Sequence, residues 1–211
     1  MQPYFFPYPG YFRLLADTDV FVYLDDVQFP RSGWVHRNKF EFLDSSINWL
    51  TLPVTRGSRE STTIVDLSYR EEDKASFYRR FFSTRFLSNI PENLINFDNS
   101  VVIDLKSQIE FIAKELRFFP EFYSSSQLAI PSDFSGQRRI IEICKVLNAS
   151  KYINLNGGIK YYDSEEFRKF GIKLEILQKY EGTFSSVIDS LSRSSKHSIR
   201  REIISNLKVC S

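Results

Sequence analysis

The chain has 211 residues, a length that fits one domain. Its 28 Lys and Arg against 26 Asp and Glu give a net charge of +2, which argues against a nucleic-acid partner held by bulk electrostatics. No run approaches the roughly 20 apolar residues that a membrane-spanning helix needs. The two cysteines, Cys144 and Cys210, make no disulfide framework, so we expect a cytoplasmic location.

The first half of the sequence predicts a loop, a strand, a hairpin and a helix. Residues 1–9 are rich in aromatic residues and proline, which favours an extended loop, and a short helix is expected over 10–16. The continuous apolar run from Val20 to Leu24 is typical of a parallel strand that is covered on both faces. Alternation across 34–55 predicts a β-hairpin, and helix-spaced aromatic residues predict a helix over 72–88.

Helices and strands alternate in the second half of the sequence. Helices are predicted over 101–117, 136–149 and 164–170, strands over 121–130, 152–155 and 172–177, and a mostly helical segment over 183–208. Such alternation is typical of the α/β class. We therefore expect a three-layer fold with a mostly parallel sheet, formed by a single domain over 1–211, with the hairpin as an insertion.

Polar clusters follow three of the predicted strands. They are Asp25-Asp26, Ser124-Ser125-Ser126 and Asn156-Gly157-Gly158. In open α/β sheets ligands bind at the carboxyl ends of the strands, so these clusters indicate a site. Adjacent carboxylates can orient a sugar hydroxyl, hold a metal ion or act as a general base, although they also form ordinary turns. Two glycines let a backbone approach a ligand closely but are equally common in plain turns.

The aromatic loop and the hairpin contribute further candidates. Gly10 stands where a helix begins, and the free N–H groups there favour an anion. The alternative interpretation is a rigid aromatic loop that closes the sheet edge. In the hairpin, the guanidinium of Arg37 is suited to a phosphate or a carboxylate.

The sequence resembles the WbqC-like family over nearly its whole length. The motifs that carry the resemblance are QPYFFPYPGYF, VYLDDVQF, SGWVHRNKF, WLTLPV, SSQL, GQRRIIEICKVLNASKYI, NGGIKYYD and FGIKLEI. Members of the family usually have a few apolar residues before the QP pair, which form a first strand. Here Met1 stands directly before Gln2, so the resemblance implies that this chain is short by one strand.

The resemblance also implies a function in bacterial surface-polysaccharide (O-antigen) biosynthesis. The implied enzyme is an N-acyl- or aminoacyltransferase that joins an acyl or amino-acid donor to the amine of a nucleotide-linked aminosugar. ATP and Mg²⁺ would take part if the donor were activated in place. The alternatives are a nucleotidylyltransferase making an activated sugar, with Mg²⁺ on Asp25 or Asp26, and a non-catalytic glycan-binding or scaffold protein.

For acyl transfer the candidate residues fall into two groups, with no metal ligand among them. The catalytic candidates, a base and donors to the developing oxyanion, are Asp25, Asp26, Tyr8 and Tyr11. The substrate-binding candidates are Gln2, Tyr4, Gly10, Gln28, Arg37, Asn38, Ser126, Asn156, Gly157 and Gly158.

Overall fold

The structure is a computed structural model that describes residues 1–30, 32–55, 57–58, 61–85, 91 and 94–210. Its helices are α1 (Arg13–Ala16), α2 (Lys74–Phe81), α3 (Val101–Glu115), α4 (Gly136–Val146), α5 (Ser164–Arg168), α6 (Val187–Arg193) and α7 (Lys196–Ser205). Its strands are β1 (Val20–Tyr23), β2 (Arg37–Glu41), β3 (Ile47–Thr51), β4 (Glu121–Ser124), β5 (Lys151–Leu155) and β6 (Lys173–Leu177). A 3₁₀ turn over Pro9–Phe12 leads directly into α1.

The strands pair in three sets of two. β1 runs parallel to β4, β5 runs parallel to β6, and β2 and β3 form an antiparallel hairpin. The mixture of helices with small parallel sheets is compatible with the expected α/β class, and the parallel pairing and the hairpin are confirmed. The parallel strands form two separate pairs in place of the single sheet expected from the sequence.

β1 is covered on both faces, as its apolar sequence predicts. Phe21 and Tyr23 are buried in the main core. Val22 and Leu24 pack against a second, smaller core built mainly from α4 and α5. Because successive side chains of a strand point to opposite faces, one apolar strand supplies both cores. The strand therefore lies between the two cores, with its polar C-terminal neighbours at one end.

The N-terminal aromatic loop is part of the main core. Phe5 and Phe6 are fully buried, and Phe6 has a φ of 39° in the left-handed region. Hydrogen bonds hold this unusual backbone: Asn38 Nδ2 and Ser186 Oγ both donate to the Phe6 carbonyl, and Gln108 Oε1 accepts from the Phe6 N–H. The loop thus connects the hairpin, α3 and the segment before α6, which fits the interpretation of a rigid aromatic plug.

Met1 pairs with the edge of β1 that faces away from β4. Its amino group donates to the Val22 carbonyl at 2.7 Å, and the Leu24 N–H donates to the Met1 carbonyl at 2.9 Å. These two bonds repeat the pattern of a parallel ladder. Beyond them, a cavity of about 360 Å³ separates β1 from β5.

Two predicted elements are shorter than expected. The helix predicted over 72–88 ends at Phe81, and residues 86–88 lie outside the described residues. The strand predicted over 121–130 ends at Ser124, where a 3₁₀ turn over Ser125–Gln127 begins. That turn directs the Ser126 N–H to the carboxylate of Asp25 at 3.0 Å. No local sequence pattern predicts this hydrogen bond.

Candidate functional site

The candidate site lies at the carboxyl ends of β1 and β4. Because the two strands are parallel, with Tyr23 opposite Ser124, the residues that follow each strand lie side by side. The structure therefore brings Asp25 and Asp26 into contact with Ser125 and Ser126 across a sequence separation of about a hundred residues. We call this group, together with Ser124, Lys106 and Arg139, the strand-end cluster.

Asp25 is the buried anchor of the strand-end cluster. Its carboxylate is 0% exposed and accepts hydrogen bonds from Lys106 Nζ at 2.7 Å, Ser126 Oγ at 2.9 Å and the Ser126 N–H. Burial alone raises the pKa of Asp25, but the hydrogen bonds from Lys106 and Ser126 outweigh it and hold the pKa below its usual value. Asp25 is therefore a charged group that orders its neighbours. Because its carboxylate is buried and already hydrogen-bonded, it is poorly placed to accept a proton from a substrate.

Asp26 is the more accessible of the two carboxylates. It forms an ion pair with Arg139 of α4 and accepts a hydrogen bond from Ser125 Oγ at 2.5 Å. Its side chain remains 22% exposed. Of the two aspartates, Asp26 is thus the one that a ligand can reach.

Two cations of the strand-end cluster were not expected from the sequence. Lys106 on α3 bonds Asp25 and donates to Ser124 Oγ at 2.6 Å, while Arg139 on α4 bonds Asp26. The sequence carries a signal for Lys106, since it is one turn before Ile109 on the apolar stripe of α3. A charge on a buried stripe requires a partner, which here is Asp25.

The composition of the strand-end cluster suits a ligand with both a cationic and an anionic group. Two carboxylates face two cations, so the cluster is close to neutral. Hydroxyl groups of three serines add hydrogen-bonding capacity, and Ser126 is exposed to solvent. Such a cluster can attract an amine to Asp26 and a carboxylate or phosphate to Arg139.

Of the tyrosines of the N-terminal loop, Tyr11 is buried, whereas Tyr4 and Tyr8 are partly buried against the main core. The Tyr11 hydroxyl donates to the Gln2 carbonyl at 2.9 Å, and burial raises the pKa of Tyr11 well above its usual value. Burial likewise raises the pKa of Tyr4 to about 12 and that of Tyr8. All three hydroxyls therefore stay protonated at neutral pH, and the Tyr11 hydroxyl already donates its hydrogen bond within the loop.

Gly10 has a packing role in this structure. A Cβ atom placed there would lie 2.4 Å from the Tyr8 ring and 2.6 Å from Cγ of Tyr180. The two aromatic rings thus cover the backbone that the sequence suggested as a phosphate cradle, and only glycine allows their close approach.

The hairpin candidates make their contacts within the hairpin and the N-terminal loop. Arg37 donates to the Ser32 carbonyl at 2.6 Å and stacks over the ring of Trp49. Asn38 is buried and donates to the Phe5 and Phe6 carbonyls. Gln28 is exposed and forms an isolated bridge with Thr63.

The Asn156-Gly157-Gly158 candidate forms a 3₁₀ segment directly after β5. The Asn156 amide donates to Cys210 Sγ at 3.7 Å, and Gly157 has open space around its Cα. The first turn of α4 connects this region to the strand-end cluster, because Gln137 accepts from the Asp163 N–H while Arg139 bonds Asp26. One shared cleft for both groups stays a prediction.

Two kinds of feature are absent from the described residues. No group of three or more His, Cys, Asp or Glu there is arranged to hold a metal ion. No helix in that part of the chain is both long and apolar enough to cross a bilayer.

The chain thus combines helices with small parallel sheets, compatible with the α/β class, and carries a charged cluster at the carboxyl ends of two parallel strands. The model of the WbqC-like protein family matches residues 2–198, so the chain belongs to this family. The chain is also 35% identical over 54 residues to the uncharacterized protein Rv1507c of Mycobacterium tuberculosis. That match covers 26% of this chain and 23% of the relative. No solved structure matches the chain.

Proposed function

We propose that this protein is a cytoplasmic N-acyl- or aminoacyltransferase of bacterial surface-polysaccharide biosynthesis, which modifies the amine of a nucleotide-linked aminosugar. The observation that carries the proposal is the strand-end cluster, which combines a reachable carboxylate with two cations and three serines. Membership of the WbqC-like family supports the polysaccharide context.

The reaction joins the sugar amine to the carbonyl carbon of an activated acyl donor. A C–N bond forms, the bond between the carbonyl carbon and the leaving group breaks, and the amine loses a proton. We assign the proton acceptor to Asp26, because its carboxylate is partly exposed. Ser126 and Arg139 would bind the developing oxyanion or the donor's negative charge. Asp25 is then a positioning residue that fixes Lys106 and Ser126.

The proposal is tested by mass spectrometry of nucleotide-linked aminosugars incubated with the protein, ATP, glycine and other acyl or amino-acid donors. The expected product is an amide of the aminosugar, with AMP released if the donor is activated in place. A sugar nucleotide and pyrophosphate formed from a sugar phosphate, without a new amide, would establish the nucleotidylyltransferase instead. Binding without turnover of any donor would favour a glycan-binding or scaffold protein.

A matched pair of variants tests the residue assignment. Asp26→Asn should lower the rate at least about 100-fold, the usual minimum for losing a general base. The side chains of Asp26 and Arg139 are only 22% and 12% exposed, so loss of the charge should cost about 1–3 kcal/mol. The Tm of Asp26→Asn should therefore fall by about 2–12 °C, far too little to explain a 100-fold loss of rate below that temperature. Asp133→Asn, at an exposed position before α4, is the control and should leave both quantities unchanged. Full activity of Asp26→Asn would remove Asp26 from the chemistry.

A further inference from the structure

One face of the β2–β3 hairpin carries an aromatic pair surrounded by cations. Lys39 lies opposite Trp49 in the antiparallel register, and directly paired residues project from the same face of a hairpin. Trp34 stands beside Trp49, with their ring centroids 5.1 Å apart. We call Trp34, Arg37, Lys39, Trp49 and the neighbouring Arg80 the hairpin face.

The three cations of the hairpin face are directed at Trp49. Arg37 Cζ lies 4.5 Å from the ring centroid and Lys39 Nζ 5.6 Å from it, while Arg80 Nη2 donates to the Trp49 carbonyl at 2.9 Å. The nearby carboxylate of Glu41 is already paired with other arginines, those at positions 85 and 193. Arg37 and Lys39 therefore place two positive charges against one indole ring, and Arg80, whose Cζ lies 5.9 Å from the ring centroid of Phe42, adds a third beside the Trp49 backbone.

Arg37 is held rigidly in this arrangement. Its Nη2 donates to the Ser32 carbonyl at 2.6 Å and its Nε to the Gly33 carbonyl at 3.3 Å, while the guanidinium stacks on Trp49. Since a guanidinium has five N–H donors, these two bonds leave others for a ligand. A fixed guanidinium loses little entropy when it binds an anion.

We propose that the hairpin face binds the nucleoside diphosphate part of the substrate. The flat base would stack against the Trp34–Trp49 pair, and the diphosphate would be held by Arg37, Lys39 and Arg80. An aromatic face combined with three cations favours a ligand that has both a flat ring and several negative charges. The choice of a nucleotide rests on the proposed function, whereas the site rests on the hairpin geometry alone.

The tryptophans provide a direct assay, because Trp34 and Trp49 are the only two in the chain. Titration with UDP and GDP should quench the intrinsic tryptophan fluorescence. The Kd should lie below about 1 mM, which is the weak end of the usual range for substrates. Uridine lacks the charges and inorganic pyrophosphate lacks the base, so each should bind more weakly than UDP. Equal binding by pyrophosphate and UDP would overturn the nucleotide assignment in favour of an anion site.

Variants separate specific binding from general charge. Arg80→Gln should weaken UDP binding at least about tenfold, because a hydrogen bond to a charged group contributes roughly 1.5–3 kcal/mol and 1.4 kcal/mol corresponds to tenfold in affinity. Arg79→Gln, one residue earlier on α2, removes the same charge from an exposed position and should change Kd little. Equal effects of the two variants would mean non-specific attraction and would refute the site.

The aromatic contribution is measured by calorimetry, so that loss of a fluorophore does not matter. Trp49→Leu should weaken UDP binding about fivefold or more, since stacking of a base on an aromatic ring contributes roughly 1–3 kcal/mol. Trp49→Phe should restore most of the affinity. Each variant is first checked for an unchanged Tm. If UDP binds here but no amide product forms, this site is upheld and the proposed function fails. If the amide forms but these variants do not change UDP binding, the proposed function is upheld and this site is refuted.

Discussion

Lys106→Met isolates the buried ion pair on which the strand-end cluster depends. The change keeps the length of the side chain and removes its charge, which leaves the fully buried Asp25 without its cation. Breaking a buried pair from one side costs about 3–5 kcal/mol. Because the Ser126 N–H and Oγ still donate to the carboxylate, we expect the lower end, about 3 kcal/mol.

This loss should lower the Tm by about 6–12 °C at pH 7.5, since 1 kcal/mol corresponds to roughly 2–4 °C in a chain of this size. The sign with pH follows from Asp25. In the wild type its pKa is lowered, so its contribution is present above the pKa of the unfolded chain and is lost as pH falls. In the variant burial favours the neutral carboxyl, so the difference between the two proteins should shrink towards pH 4.

Thermal unfolding of both proteins at pH 7.5 and pH 4 measures these effects. Lys114→Met, at an exposed position on the same helix, is the matched control and should change the Tm little. Adding Asp25→Asn to Lys106→Met should recover part of the loss, because no buried charge then remains unpaired. Two results would refute the reasoning. One is a Lys106→Met protein with the same Tm as the wild type at pH 7.5, and the other is a Tm difference between the two proteins that is as large at pH 4 as at pH 7.5.

Two further predictions concern the interior. Burial raises the pKa of Asp189 to about 7, so its contribution to stability should fall by up to about 4 kcal/mol as pH rises from 4 to 7. Asp189→Asn removes this contribution, so the free energy of unfolding of the variant minus that of the wild type should increase over the same pH range in denaturant titrations. A difference that does not change with pH would contradict this assignment. Gly10→Ala should lower the free energy of unfolding by about 1–3 kcal/mol, because the added methyl group would force apart the Tyr8 and Tyr180 rings. Gly157 has open space around it, so Gly157→Ala should have the same Tm as the wild type.

Local patterns predicted most secondary-structure elements because the physics behind them is local. An apolar run between polar residues specifies β1, and alternation specifies the hairpin of β2 and β3. Helix periodicity likewise predicted α3 and α4 to within a few residues. Each of these elements is determined by neighbours along the chain.

The composition of the site could be predicted only in part. Asp25, Asp26 and Ser126 follow strands, and the rule that ligands bind at strand ends identified them. Lys106 and Arg139 enter the cluster from the middle of α3 and the start of α4, about 80 and 113 residues from their partners. Nothing in the local sequence specifies these pairings, since they depend on how each helix packs against the strands.

In the hairpin motif, the polar residue beside Arg37 makes its contacts in the interior. Asn38 looks like a phosphate ligand beside Arg37, but it is 1% exposed and binds the carbonyls of Phe5 and Phe6. Its neighbours on the strand alternate between the two faces, so Arg37 and Asn38 cannot serve one ligand from one side. The alternation was readable in the sequence, whereas which face is buried depends on the N-terminal loop.

The cavity between β1 and β5 lies where two strand edges face each other. In β1 the polar groups of Val22 and Leu24 point towards Met1 and the cavity. In β5 the Ser150 carbonyl accepts from the Lys173 N–H of β6, so by alternation Lys151 and Ile153 direct theirs towards the cavity. A strand placed there would join the two parallel pairs into one sheet, the three-layer arrangement that stays a prediction.

A variant extended ahead of Met1 by roughly six apolar, β-prone residues, a usual strand length, should occupy this cavity. Burying a Val or Ile side chain contributes about 1.5–3 kcal/mol, and ordering a residue costs about 1.5 kcal/mol. The net gain of up to about 1.5 kcal/mol per buried residue should raise the Tm, by about 2–4 °C for each kcal/mol gained. Hydrogen exchange at the amides of Val22, Lys151 and Ile153 should slow in the extended form, because their N–H groups gain partners. An equally long Gly-Ser extension is the control. If the apolar and Gly-Ser forms have the same Tm and the same exchange rates at these amides, the cavity does not accommodate a strand.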